Sequence, residues 1–142
     1  MELWELVCRE QIRDAVNHYA ICVDSGRLDE IMPLFSPEAT FSVDGQTYAG
    51  QEEIKSIFSG AAVVLSDHPG PQRLVRHMIT THEILVSSET TARSRCYFVA
   101  FVGARLSQWG RYLDELELLD GVWKIVRRRV FVDGVAEAGS GG

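Results

Sequence analysis

The chain has 142 residues, 46% hydrophobic and 24% charged, the size and make-up of one globular domain. A core of that size forms without disulfide or metal staples, which excludes a disordered chain, a fibrous one and a disulfide miniprotein. Lys plus Arg number 14 and Asp plus Glu 20, a net charge of −6 that repels phosphate backbones and argues against nucleic acid as a partner.

In chain order, Ile12, Ala15, Val16, Tyr19, Ala20 and Val23 recur at spacings of three and four, which predicts an amphipathic helix. Ser25-Gly26 closes it, with Gly26 at the left-handed position. A second helix is predicted over Leu28 to Phe35, short or irregular because of Pro33. Ala39 to Val43 and Gln46 to Tyr48 flank Asp44-Gly45, the signature of a tight hairpin. A third helix follows from Gln51 to about Ala62, and Ser66 to Pro71 reads as a loop. Four strands complete the domain: Leu74 to Val86, Thr91 to about Val102, Trp109 to Leu119 and Val122 to Val132, the last two joined at Asp120-Gly121. Residues 1–135 thus read as a single domain and 136–142 as a flexible tail.

Helices first and a long antiparallel meander after them predict an α+β fold, with the helices packed on one face of a curved sheet. Such a sheet capped by a long helix makes a cone with an apolar interior, a natural site for a small molecule. Glu2, Glu5 and Glu10 occupy the positions where a signal peptide carries positive charge. The apolar run Cys96 to Ala104 is too short for a membrane helix, which needs about 20 residues. A soluble, cytoplasmic protein is expected, with Cys8, Cys22 and Cys96 as free thiols rather than disulfides or zinc ligands.

Four stretches carry a family resemblance. They are His18-Tyr19-Ala-Ile-Cys-Val-Asp24-Ser-Gly26 with Leu34-Phe35-Ser-Pro37, Tyr48-Ala-Gly50 leading into a helix with Ile54, Arg76-His77-Met-Ile79, and Gly110-Arg111-Tyr112-Leu-Asp114 with Trp123 and Arg128. In this order they resemble the SnoaL-like group of the nuclear-transport-factor-2-like superfamily, the cystatin-like α+β cone. That fold hosts dehydratases, isomerases, cyclases and non-catalytic binders. The dehydratases of the superfamily work with a helix Asp and a strand His in one pocket, often with a helix Tyr. By motif position the resemblance implies Asp24, His77 and Tyr19 as catalytic residues.

That trio is chemically sensible. A carboxylate beside a buried imidazole fixes its tautomer and stabilises the imidazolium formed on proton uptake. A nearby Tyr hydroxyl donates to an oxygen on which enolate charge develops. Proton abstraction of this kind needs no cofactor, and none is expected; no metal cluster or glycine-rich phosphate loop is evident. Packing competes for each assignment: Tyr19 lies on the apolar helix stripe, and His77 shares a strand face with Val75 and Ile79. His82, five positions after His77, falls on the other face of a regular strand, and His18 and His68 read as solvated.

Phe41, Phe58, Tyr97, Trp109, Tyr112 and Arg128 are the expected substrate contacts, Arg128 as a recurrent arginine of the family. Arg127 and Arg129 take the opposite strand face, where Glu115 and Glu117 stand across the hairpin. The expected function is a cofactor-independent acid–base enzyme, lyase or isomerase, acting on a small, mostly apolar ring compound. The alternative is a ligand-binding or accessory domain without chemistry. A ketosteroid-isomerase-like arrangement fits poorly, because its strand base would fall at or beside Val43 and Asp44 is taken up by the turn. A homodimer through the outer sheet face completes the expectation.

Overall fold

The computed structural model describes residues 1–66 and 74–137, with side chains described for 1–59 and 74–137. Helix α1, Leu3–Ser25, buries Cys8, Ile12, Val16, Tyr19 and Ala20 along one stripe. It stops where Gly26 turns left-handed and donates its N–H to the Cys22 and Val23 carbonyls. Helix α2 is only Leu28–Ile31, followed by a 3-10 turn over Met32–Leu34. The helix predicted as far as Phe35 is therefore cut short: Pro33 allows one α-turn, and Phe35 is already extended and opens β1. Strands β1, Phe35–Val43, and β2, Gln46–Ala49, form the first hairpin, and α3 covers Gly50–Ser66. Strands β3, Val75–Val86, β4, Thr91–Val102, β5, Arg105–Leu119, and β6, Val122–Val135, follow. Both Asp-Gly pairs turn with positive φ at each residue, as a two-residue hairpin of this hand requires. Most of the loop predicted over Ser66 to Pro71, with His68, and the tail from Ala138 lie outside the described residues.

The fold is α+β, as expected. The six strands form one sheet in the order β2-β1-β6-β5-β4-β3, with β1 and β6 parallel and all other neighbours antiparallel. Strand β3 is thus an edge, and α1 packs along it. The core lies between α1, α3 and one sheet face: Phe98, Tyr112, Leu116, Trp123 and Ile125 point inward from the strands and meet Ile12, Val16 and Tyr19.

Of the register shifts in the sheet, those on β3 and in the middle of β6 change which residues face the helices near the site. On β3, Thr80 pairs with Tyr97 and Glu83 with Arg95, so two residues of β3 stand opposite Cys96, and Thr81 has φ 50°. Beyond it the inward positions are His82, Ile84 and Val86 rather than their neighbours. His82 therefore shares the helix-facing side with His77, contrary to the regular-strand expectation. On β6, Glu115 pairs with Arg127 but Leu116 with Ile125, so Val126 is the extra residue. That bulge turns Arg128 into the core, where it is fully buried.

Candidate active site

The last turn of α1 delivers Asp24 to the free edge of β3. Asp24 Oδ2 accepts the backbone N–H of His77 at 2.8 Å, and Oδ1 lies 2.6 Å from His77 Nδ1. The backbone N–H is available only because β3 is an edge strand. An ionised carboxylate only accepts, so Nδ1 is the donor of this contact, and in the neutral ring that leaves the lone pair on Nε2. The Asp24 and His77 side chains are 9% and 16% exposed, dry enough to strengthen the interaction. The His77 ring packs 6.4 Å from Phe98, which stacks on Tyr112 at 4.7 Å.

A second polar group sits deeper. Arg128 makes a bidentate ion pair with Asp114, both bonds 2.7 Å, with both side chains completely buried. Its guanidinium is sandwiched between the rings of Tyr19 at 4.2 Å and Tyr112 at 4.3 Å. Burial works against its charge, but the Asp114 carboxylate outweighs that and raises its pKa. Nη1 is buried with no hydrogen-bond partner among the described residues, as are both ring nitrogens of His82 and Oγ of Ser94. Burial lowers the pKa of His82, with Asp114 opposing, so the ring is held neutral. Burial also raises the pKa of Tyr19, offset by Arg128, and pushes Tyr112 well above its ordinary value. Both phenols stay protonated donors. Sequence reasoning missed Asp114, because only the register around the Val126 bulge brings it opposite Arg128.

The structure brings Asp24 and His77 together, and Tyr19 joins Arg128 in the core. Phe41, Phe58 and Tyr19 interlock with Phe35 at ring separations of 6.0 to 6.4 Å, so these rings pack on one another. Tyr97 and Trp109 are corrections: they alternate with buried Phe98 and Gly110, are 53% and 40% exposed, and stand on the sheet face turned away from α1. Trp109 lies over Gly134, where any Cβ would collide with its indole. His18 is half-buried rather than solvated, its Nε2 3.3 Å from Cys22 Sγ. Of the expected outer ladder, Arg127 meets Glu115 at 3.8 Å, whereas Glu117 falls opposite Lys124 and Arg129 opposite Leu113. A groove of about 710 Å³ opens among Met32, Phe35, Gln51, Lys55 and Lys124, and a hollow of about 330 Å³ lies beside Asp44 and Arg111. Asp24 and His77 line neither.

A curved six-stranded sheet packed on N-terminal helices defines this protein as a cystatin-like α+β cone. The SnoaL-like domain model matches residues 4–129, and the chain belongs to that family. Its fold is similar to a "putative scytalone dehydratase" from Novosphingobium aromaticivorans, with a TM-score of 0.81 at 22% identity, covering 96% of this chain and 91% of the other. A nuclear-transport-factor-2-like protein with a cystatin-like fold from the same organism gives 0.77 at 23% identity, over 95% and 88% of the two chains. The beta subunit of a "putative aromatic-ring-hydroxylating dioxygenase", also from that organism, gives 0.70 at 21%, over 94% of each chain. No curated protein sequence matches the chain. Among the described residues, no helix is long and apolar enough to cross a membrane.

Proposed function

We propose that the chain is a cofactor-independent acid–base enzyme of the dehydratase, isomerase or cyclase type, acting on a small, mostly apolar cyclic compound. The carrying observation is that one carboxylate, Asp24, holds both the backbone and the ring N–H of His77. In this reading His77 Nε2 takes a proton from a carbon next to a carbonyl. The C–H electron pair moves into the enolate, and Asp24 stabilises the imidazolium. The imidazolium then returns that proton from Nε2, either to another carbon of the enolate or to a β-hydroxyl that the enolate expels as water, which restores neutral His77. The Tyr19 hydroxyl, its ring stacked on the buried Arg128 guanidinium, is the donor proposed for the developing oxyanion. Phe41, Phe58 and Tyr112 supply apolar contacts; Tyr97 and Trp109 do not belong to the site.

The test uses a panel of cyclic ketones and β-hydroxyketones in deuterated water, followed by proton NMR. The wild-type chain exchanges or dehydrates at least one compound, and Asp24→Asn and His77→Gln each slow it by about 100-fold or more. Equal rates in all three proteins would remove the pair from the chemistry.

A second reading, a ligand-binding or accessory domain without chemistry, draws support from the 710 Å³ groove away from Asp24 and from the likeness to a dioxygenase subunit. It predicts no exchange above buffer with any compound, alongside saturable binding that Lys55→Ala in the groove weakens. The proposed assembly is a homodimer, with a small molecule as ligand and neither nucleic acid nor membrane as partner.

A further inference from the structure

Where α1 meets α2, three metal-binding side chains converge outside the site just described. His18 and Cys22 are one helical turn apart on α1, and Glu30 comes from α2. His18 Nε2 is 3.3 Å from Cys22 Sγ, and a ring nitrogen, the thiol sulfur and a Glu30 carboxylate oxygen all lie within 4.8 Å of one another. Cys22 is fully buried, His18 half-buried and Glu30 exposed, so the cluster runs from the core to the surface.

These separations suit one small ion. Tetrahedral zinc bonds of about 2.3 Å to sulfur and about 2.0–2.2 Å to nitrogen and oxygen put neighbouring ligand atoms roughly 3.3–3.6 Å apart. The sulfur–nitrogen distance of 3.3 Å is within about 0.3 Å of this, so the carboxylate is the group with furthest to move. Glu30 is free to do so: it lies 3.6 Å from exposed Arg27, a loose surface pair. Thiolate and imidazole select a zinc-class cation, whereas calcium and magnesium need sets of oxygen donors.

We infer that His18, Cys22 and Glu30 bind one divalent late-transition cation of the zinc class, with water as the fourth ligand on the exposed side. Binding releases the Cys22 thiol proton to solvent and ties α2 to α1 two residues before Asp24. The site is independent of the reaction proposed above. The competing arrangement is a plain thiol–imidazole hydrogen bond, which takes no metal.

Cobalt titration of the chelator-treated full chain distinguishes the two. Saturation at one cobalt per chain is expected, with a near-ultraviolet thiolate-to-cobalt band and the strong visible absorption of a tetrahedral ion, both displaced by zinc. Cys22→Ser abolishes the band. Glu30→Gln, an exposed change that leaves the fold intact, weakens cobalt binding by at least the roughly tenfold that even an outer-shell partner provides. Asp24→Asn and His77→Gln leave the band unchanged. Absence of the band at saturating cobalt, its survival in Cys22→Ser, or unchanged affinity in Glu30→Gln would overturn the assignment.

Discussion

Asp24 commits both carboxylate oxygens to His77, while Asp114 commits both of its own to Arg128, and the two pairs do different work. The first is partly open and leaves one imidazole nitrogen uncommitted. The second is sealed and sets the orientation of Tyr19 and Tyr112 by stacking a guanidinium between them. Removing one partner of a sealed pair strands the other charge in the core, at a cost of about 3–5 kcal/mol; replacing both with apolar groups is far milder. Arg128→Met is therefore expected to lower unfolding stability by about that much in urea titrations. Arg128→Met with Asp114→Leu should recover most of it. A double variant as unstable as the single one would show that the stacking on the tyrosines, not the ion pair, holds this part of the core.

At the scale of elements, the regular features were legible and the irregular ones were not. The stripe of α1 and the two Asp-Gly hairpins are written in neighbouring residues, so they can be read locally. A bulge depends on which residue of the next strand takes each hydrogen bond, and nothing near Thr81 or Val126 announces one. A regular strand therefore puts His82 on the wrong face and leaves Asp114 out of register with Arg128. Tyr97 differs in kind: one position from buried Phe98 in an apolar run, it has the ring of a pocket residue but the strand parity of the outer face. The Asp24–His77 pairing is legible only through the family resemblance; spacing alone does not bring residues of α1 and β3 together. The inward turn of His82 has a measurable consequence. Burial depresses its pKa from 6.5 despite Asp114, with Arg13, Arg128 and Arg9 adding to the depression. Below 6.5 the unfolded chain takes up a proton that the folded chain refuses, so the unfolded state is favoured as pH falls towards the folded value. Stability should thus drop on acidification from neutral pH through that window, and His82→Gln should drop less. Identical pH slopes for the two proteins would show that His82 is solvated.

For the whole molecule, the sheet has two unlike faces. The inner one is covered by α1 and α3. The outer one exposes Met78, Tyr97, Trp109 and Phe131 at 51%, 53%, 40% and 39%, beside Arg95 and Arg111. Exposed aromatics and arginines on one continuous surface are the composition of an interface core. Sedimentation at micromolar concentration is expected to show a dimer that Tyr97→Asp or Trp109→Asp disrupts; a wild-type monomer would contradict the assembly.

Every functional step rests on Asp24 keeping the His77 proton on Nδ1. Long-range proton–nitrogen NMR of the labelled chain at neutral pH reads this directly. The account predicts a protonated Nδ1 and a bare Nε2 for His77 in the wild type, with that preference lost in Asp24→Asn. A proton on Nε2 in the wild type, or the same tautomer in both proteins, would contradict it.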